Sequence, residues 1–208
     1  MRIYTMYSHK IIIQIGSHVG NTDNDPIFNQ VDKSTKMILV EPVPYLFIQL
    51  QQNYMKKFGD NSNIIFINMA VSNYVGEIEL TIPSERNDFS NLPYWATQLA
   101  SVNSTHATDH IANLLTDKIT VKTTTINEII KDCNITTIDL LHTDTEGHDY
   151  EILMDYDFII KPAKIMFEHK HMDGFLKRGA RFDILINKLH SLGYRIVYTC
   201  VDDTVMEL

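Results

Sequence analysis

Residues 11–21 read IIIQIGSHVGN, and residues 37–42 read MILVEP. Each stretch is an apolar strand: the first runs into a turn bracketed by Gly16 and Gly20, and the second ends at Glu41. Continuous apolar strands are typical of a parallel sheet that is covered on both faces. A carboxylate about twenty residues beyond a glycine-rich strand exit is typical of nucleotide-binding α/β domains, in which it accepts hydrogen bonds from a ribose.

The turn itself narrows the choice of ligand. A dinucleotide-binding turn carries a middle glycine, which lets the backbone approach the pyrophosphate, and His18 occupies that position here. The turn therefore favours a cofactor that has a ribose but no pyrophosphate, and we predict S-adenosylmethionine (SAM) rather than a nicotinamide dinucleotide. In this interpretation the backbone amides between Gly16 and Gly20 face the methionine part of SAM, and Glu41 binds the ribose.

Composition and charge limit the partners. The chain has 208 residues, of which 44% are apolar, and this predicts one domain over residues 1–208. The formal net charge of −8 argues against nucleic acid or an anionic membrane as a partner, since both attract an excess of Lys and Arg. No apolar run approaches the length of a membrane span, and Cys133 and Cys200 lie far apart, outside any metal-binding spacing. We therefore expect a cytoplasmic protein with reduced thiols.

The rest of the chain alternates strand-like and helix-like segments, a pattern that predicts a doubly wound α/β fold. We expect strands over residues 10–15, 37–41, 63–68, 77–82, 119–124, 137–143 and 163–169. We expect helices over residues 26–33, with Asp25 as N-cap, and over 45–57, 126–132, 149–156 and 181–192. Residues 194–201 and 204–208 flank a turn signal and predict an antiparallel hairpin. The expected fold is a Rossmann-like, mostly parallel seven-stranded sheet that ends in this hairpin.

Residues 83–117 break the alternation. They are rich in Ser, Asn, Thr and Asp, contain the only tryptophan, Trp95, and show no long periodic run. Because a stretch of this length inside a compact domain is usually functional or partly disordered, we interpret it as a substrate lid. In this hypothesis Trp95 packs on the C–H face of a sugar ring, and Gln98, Ser101 and His106 are polar partners. The alternative is a surface loop that is anchored by the aromatic ring.

Two carboxylates follow the strand predicted over residues 137–143. Asp144 and Glu146 alternate with Thr145, so their side chains share one direction if the strand geometry continues. At the carboxyl end of a strand both could face the ligand cleft, where one would orient the sulfonium and the acceptor and the other would accept a proton. The alternative is that they cap the helix predicted over residues 149–156, since acidic residues favour helix N-termini.

Further titratable side chains end the next predicted strand. Glu168, His169 and His171 lie there, and a general base at this edge would remove the proton of an acceptor hydroxyl. The candidates for that base are Glu146, Glu168 and His169. Carboxylates could equally bind Mg²⁺ through oxygen, although no clear motif supports it, and these strand-end histidines show no zinc-binding spacing. We therefore predict no metal-ligating residues.

Several motifs together resemble the FkbM-type SAM-dependent methyltransferases. The most specific is IDLLHTDTEG at residues 138–147, in which Asp-x-Glu-Gly follows an apolar strand. The other main matches are IQIG at residues 13–16 with Gly20-Asn21, LVEP at 39–42, NMAVS at 68–72 and FEHKH at 167–171. Together they span about residues 11–171. The chain departs from the family at Gln14, where the family often has an acid.

The resemblance implies the class I methyltransferase fold and the transfer of a methyl group from SAM to a hydroxyl of a sugar, glycan or related small molecule. The cofactor-binding residues that we predict are Gln14, Gly16, Ser17, His18, Gly20, Asn21, Glu41, Pro42, Ala70, Val71 and Asp144. The predicted catalytic residues are Asp144, Glu146, Glu168 and His169, and the predicted substrate-binding residues are Trp95, Gln98, Ser101, His106 and His171. Two alternatives stay open: a nicotinamide-dependent oxidoreductase on the same sheet, and a catalytically inactive carbohydrate- or protein-binding module.

Overall fold

The computed structural model describes residues 10–208, which form two β-sheets with flanking helices. The polar N-terminal residues 1–9 lie outside the described residues. The strands are β1 Ile11–Ile15, β2 Lys36–Val40, β3 Ile64–Ile67, β4 Ala70–Val71, β5 Gly76–Pro83, β6 Thr116–Thr124, β7 Leu140–Thr143, β8 Lys164–Glu168, β9 Arg195–Thr199 and β10 Asp203–Glu207. The α-helices are α1 Pro44–Phe58, α2 His106–His110, α3 Ile126–Asp132, α4 Asp149–Asp155 and α5 Ala180–Ser191. None of the helices in this part of the chain has the length and apolar character needed to cross a membrane.

The main sheet has seven strands in the order β3-β2-β1-β7-β8-β10-β9. The first five pair in parallel, and β10 pairs antiparallel with both β8 and β9. The prediction of a doubly wound, mostly parallel sheet with an antiparallel C-terminal hairpin is confirmed. The winding direction reverses between β1 and β7, and ligands bind at such a switch point in open α/β sheets.

The central strand β1 is buried because its side chains pack into the cores on both faces of the sheet. Ile13 and Ile15 belong to the larger core cluster, together with Leu141 of β7. Ile12 belongs to the cluster on the other side, together with Tyr54 of α1. Successive side chains of a strand point to opposite faces, so the run of isoleucines covers both. Full burial of one such side chain stabilises the fold by about 1.5–3 kcal/mol.

The crossover from β1 to β2 is not an α-helix, so the prediction of a helix over residues 26–33 is wrong. Within this range only Phe28–Gln30 is helical, and it forms a short 3-10 helix. Asp25 Oδ1 accepts hydrogen bonds from the amides of Ile27 at 2.8 Å and of Phe28 at 2.6 Å. These bonds have the pattern of an Asx turn or N-cap, so the expected contact of Asp25 forms, but only a three-residue 3-10 helix follows it.

The strands predicted over residues 77–82 and 119–124 pair with each other rather than with the main sheet. In the structure they are β5 and β6, which lie antiparallel, and β6 also pairs in parallel with the short strand β4. Leu80 and Val121 of this second sheet pack with Val43 beside the start of α1. The second sheet therefore lies on the side of the molecule where β2 ends.

Residues 83–117 fold over the same side of the molecule, where β2 ends. Two 3-10 helices and α2 enclose a small apolar core formed by Leu99, Ala107 and Leu114. The backbone of Ser101 forms a bridge with Thr81 of β5, and the Ser101 hydroxyl donates a hydrogen bond of 2.8 Å to the carbonyl of Glu146. The segment therefore contacts the residues that follow β7.

Gly16→Ala should destabilise the fold strongly. Gly16 has φ +79°, and a Cβ there would lie 1.8 Å from the carbonyl oxygen of Asp144. The control is Gly59→Ala, because Gly59 has φ +71° but a Cβ there would have no neighbour within 4 Å. Backbone strain alone costs about 1–3 kcal/mol at either position. Urea unfolding should show that Gly16→Ala loses at least about 2 kcal/mol more than Gly59→Ala, since backbone atoms must move to admit the methyl group. Equal losses would contradict this account.

Candidate active site

A first cavity opens at the carboxyl ends of β1, β2 and β7, at the switch point of the main sheet. Its walls come from the turn after β1, the end of β2, the second sheet and the residues after β7. Among the residues that line it are Gln14, Gly16, Ser17, His18, Asp25, Glu41, Pro42, Ala70, Val71, Gln98, Ser101, Asp144 and Glu146. Most of the residues predicted to bind the cofactor therefore surround one space.

The turn after β1 is held by backbone hydrogen bonds. The amides of Gly16 and Ser17 both donate to the carbonyl of Val40, each at 3.0 Å. His18, at the position of the missing middle glycine, has φ 48°. Its amide donates to Glu41 Oε2 at 2.9 Å, so the turn and the end of β2 are joined directly.

Glu41 is a buried carboxylate at the end of β2, with 4% of its surface exposed. Besides the bond from His18, its Oε1 accepts a hydrogen bond of 2.8 Å from the amide of Val43. Burial raises the pKa of Glu41 to about 7, although the two amides act in the opposite direction. A carboxylate has about four lone-pair sites, so each oxygen retains the capacity to accept one more hydrogen bond.

A second carboxylate reaches the cavity next to Gln14. The Gln14 Nε2 donates a hydrogen bond of 2.9 Å to Asp25 Oδ2. Burial raises the pKa of Asp25 above its ordinary value, and its bonds with Phe28, Gln14 and Ile27 oppose that rise. Sequence reasoning assigned Asp25 only a helix-capping role. Its contact with Gln14 depends on how the crossover folds back, and no pattern in the sequence showed it.

Unpartnered polar atoms line this cavity. Within residues 10–208, the Gln14 Oε1 and the His142 Nδ1 are buried and have no hydrogen-bond partner. Burial lowers the pKa of His18 to about 4 and that of His142 to about 4, so both rings are neutral. Buried polar groups are almost always hydrogen-bonded, so these atoms indicate a place for a polar ligand.

The residues after β7 turn sharply toward the cavities. Glu146 has φ 52°, a left-handed conformation that is uncommon outside glycine. The alternative that Asp144 and Glu146 cap the next helix is wrong, because the N-cap residue of α4 is His148 and no side chain caps it. Instead Asp149 Oδ2 accepts hydrogen bonds from the hydroxyl of Thr145 at 2.7 Å and from its amide at 3.2 Å. These two bonds fix the position of Thr145 between the two carboxylates.

Glu146 lines a second cavity as well as the first, and three histidines surround its side chain there. Glu146 Oε2 lies 2.8 Å from His106 Nε2 and 3.7 Å from His171 Nε2. The His171 Nε2 in turn lies 3.2 Å from the Nε2 of His110. His106 and His171, both predicted to bind substrate, line this second cavity together with Ser101. We call His106, His110 and His171 the histidine cluster.

Three carboxylates meet beside the histidine cluster. Asp144, Glu146 and Glu168 each place one oxygen within 4.8 Å of the others. Burial, together with the negative charge of Glu146, raises the pKa values of Asp144 and Glu168 well above their ordinary range. The arrangement can exchange a proton with a bound hydroxyl, because carboxylates with raised pKa values are suited to that role.

Five predicted site residues line neither cavity: Glu168, His169, Gly20, Asn21 and Trp95. His169 Nδ1 lies 3.0 Å from Thr204 Oγ1, on the other side of β8 from Glu168. Gly20 packs against α1, and Asn21 accepts a hydrogen bond from Asn53. Trp95 lies beside the His110 ring, with centroids 5.7 Å apart. His110 is the functional candidate that sequence reasoning missed, and the available signal was its spacing of four residues from His106 on what proves to be α2.

Known proteins resemble this chain in sequence pattern and in fold. The sequence profile of the Methyltransferase FkbM domain matches residues 14–196. The solved structure of methyltransferase FkbM from Methylobacillus flagellatus KT is similar, with a TM-score of 0.55 and 13% sequence identity, over 98% of this chain and 45% of that chain. The fibrillarin pre-rRNA processing protein of Methanococcus jannaschii is similar, with a TM-score of 0.53 and 12% identity, over 99% of this chain and 69% of that chain. At such identities the likeness shows the fold alone, and no curated protein matches the sequence. The chain spans less than half the length of the Methylobacillus flagellatus protein.

Asp149→Ala should destabilise the turn that carries the two carboxylates. The change removes the acceptor of two hydrogen bonds from Thr145 and leaves a backbone amide unpaired. We expect a loss of about 1–3 kcal/mol in the free energy of unfolding, measured in urea. The matched control is Asp155→Ala, at the exposed end of α4, where the change should stay within about 0.5 kcal/mol. A loss at Asp149 no larger than at Asp155 would contradict the structural role of this contact.

Proposed function

The chain belongs to the FkbM methyltransferase family, and on that premise we propose that it binds SAM in the first cavity and methylates a hydroxyl of a sugar, glycan or related small molecule. The observation that carries the proposal is Glu41, a buried carboxylate held by the amide of the turn after β1 and with acceptor capacity left at the switch point. Family membership favours methyl transfer over the alternative of a nicotinamide-dependent oxidoreductase. When bound, SAM supplies an electrophilic methyl group on its sulfonium.

The residues present fit each part of this cofactor. Glu41 would accept hydrogen bonds from the ribose hydroxyls, and Ala70 and Val71, which are buried on the cavity wall, would flank the adenine. Gln14 and Asp25 would hold the amino-acid end. Gln14 carries no charge, but the Asp25 carboxylate that it contacts provides the negative charge that an ammonium group needs.

The two cavities adjoin each other. Ser101 and Glu146 line both of them, so a molecule in the second cavity would lie next to one in the first. Glu146 would accept the hydroxyl proton as the oxygen attacks the methyl group, while His106 holds its Oε2 in place. Asp144 would orient the reactants, since alignment of two reactants supplies about 7–11 kcal/mol of the barrier in favourable cases.

Glu41→Gln tests the cofactor site. The pKa of Glu41 is raised to about 7 by burial, so the carboxylate gains its charge and its full acceptor capacity as the pH rises from 6 to 8. The affinity of the wild-type protein for SAM should therefore rise over that range. In Glu41→Gln the affinity should be at least about tenfold weaker at pH 8 and should no longer depend on pH there, because one charge-assisted hydrogen bond contributes about 1.5–3 kcal/mol. Isothermal titration calorimetry measures both, and an unchanged affinity in Glu41→Gln would show that the ribose lies elsewhere.

Asp144→Ala separates catalysis from stability. Asp144 lines the first cavity. Within residues 10–208 its side chain takes part in no hydrogen bond on which the fold depends. We expect turnover to fall at least about a hundredfold, as is usual when a group that acts on the transition state is lost, with the free energy of unfolding changed by less than about 1 kcal/mol. Equal losses of turnover and stability would favour a structural role.

The acceptor is tested by transfer of a labelled methyl group from SAM to a panel of sugars, glycans and small hydroxyl compounds. Incorporation into any hydroxyl oxygen supports the proposal. Labelling of nitrogen or carbon instead would show that the acceptor is not a hydroxyl group. If SAM does not bind and no acceptor is labelled, the inactive binding module is the better description.

A further inference from the structure

We propose that His106, His110, His171 and Glu146 form a binding site for a divalent transition metal, with Zn²⁺ as the expected ion. The four side chains each offer one ligand atom, and these atoms all lie within 4.8 Å of one another. His106 and His110 lie one turn apart on α2, His171 follows β8 and Glu146 follows β7. The fold thus brings together three imidazoles and one carboxylate from three parts of the chain.

Three of the six distances between the ligand atoms lie near those of a tetrahedral zinc centre, and the other three lie within 4.8 Å. Ligand atoms about 2.0–2.1 Å from Zn²⁺, at the corners of a tetrahedron, lie about 3.3 Å apart. The His110 and His171 Nε2 atoms are 3.2 Å apart, and Glu146 Oε2 lies 2.8 Å from His106 Nε2 and 3.7 Å from His171 Nε2. Imidazole nitrogen is a ligand of zinc and related transition metals, whereas Mg²⁺ takes oxygen ligands.

Two further carboxyl groups beside the cluster are a second indication of a cation. Asp144 and Glu168 each place an oxygen within 4.8 Å of one from Glu146. Glu168 is 6% exposed, and among residues 10–208 its Oε2 has no hydrogen-bond partner. Lys170 pairs with Asp202 at 3.2 Å, and its charge also acts on Glu168 and Glu146. Since buried carboxylates are ordinarily paired with cations or bound to metals, a divalent ion would complete this arrangement.

Metal binding would replace the hydrogen bonds between His106 Nε2 and Glu146 Oε2 and between the Nε2 atoms of His110 and His171, and it would also change one contact outside the cluster. The amide of Leu176 donates to His171 Nδ1 at 3.2 Å, which leaves the ring proton on Nε2. Binding of a metal at Nε2 moves that proton to Nδ1 and ends this hydrogen bond. Leu176 is 57% exposed and has φ 50°, so its peptide can turn toward solvent without any loss of core packing.

The metal would act on the acceptor, and this step rests on the proposed function. The second cavity adjoins the cluster, so a hydroxyl there can enter the coordination sphere as a further ligand. A bound metal lowers the pKa of a coordinated hydroxyl group. Glu146 binds through Oε2, and its Oε1 remains available to accept the proton as the C–S bond breaks and the C–O bond forms.

Metal binding is tested without an acceptor. The full chain is stripped with a chelator and titrated with Co²⁺, whose visible absorption reports the coordination number, and then with Zn²⁺ in competition. We expect one equivalent of Co²⁺ in a four- or five-coordinate site, displaced by Zn²⁺ and not by Mg²⁺. The absence of stoichiometric binding, or an octahedral cobalt spectrum, would overturn the site.

Variants of His110 locate the ion. His110→Ala should weaken Zn²⁺ binding at least tenfold, and the control His190→Ala, at an exposed histidine of α5, should leave it unchanged. His110→Cys should add a thiolate-to-cobalt charge-transfer band that the wild-type protein lacks, and this readout is independent of affinity. Zn²⁺ binding that is equal in wild type and His110→Ala, or no such band in a Co²⁺-loaded His110→Cys, would place the ion elsewhere and overturn the proposal.

SAM titration of the same samples separates the two proposals. His110 does not line the first cavity, so His110→Ala should bind SAM within twofold of the wild-type affinity, which also shows that it is folded. SAM binding without metal binding would overturn the metal site alone. Metal binding without SAM binding would overturn the proposed function and leave the metal site standing.

Discussion

The close approach of Gly16 to the carbonyl of Asp144 is the constraint on which the site depends. A Cβ at Gly16 would lie 1.8 Å from that oxygen, so only glycine allows the end of β1 to pass so near the end of β7. The approach brings the turn after β1 close to the segment that carries Asp144 and Glu146. The same turn donates its His18 amide to Glu41 and thereby joins β2 to the arrangement. Three strand exits therefore form one rim.

Two carboxylates with different neighbours occupy that rim, and the neighbours set their chemistry. Glu41 receives two backbone amides, which hold it in one orientation and leave it acceptor capacity for a ligand. Glu146 instead contacts the imidazole rings of His106 and His171, which can exchange protons or bind a metal. Backbone amides suit a site that must stay fixed through each cycle, whereas imidazoles suit one at which charge changes. The division supports the proposal that one part of the rim binds the cofactor, the cofactor half, and the other binds the acceptor, the acceptor half.

The cofactor half could be predicted from the sequence to a large extent, because its parts follow from local geometry. The isoleucine run, the glycine-bracketed turn and Glu41 need only the periodicity of two strands and their parallel pairing. The acceptor half could not, since it depends on how distant segments pack. His169 was predicted as catalytic, but successive residues of a strand end point to opposite sides, and Glu168 takes the side that faces the cluster. His110 sits on a five-residue helix inside a segment with no apolar period, so the helix that aligns it with His106 was not evident. The pairing of β5 with β6 likewise depends on contacts with α1.

The hydrogen bond from Ser101 to the Glu146 carbonyl has a kinetic consequence. Ser101 and His106 both belong to residues 83–117, and both hold Glu146, one through its backbone and the other through its side chain. If residues 83–117 act as a substrate lid, a movement that admits or releases a molecule would also break these two contacts with Glu146. The rate at which the segment returns would then set an upper limit on the overall rate, whatever the speed of the chemical step.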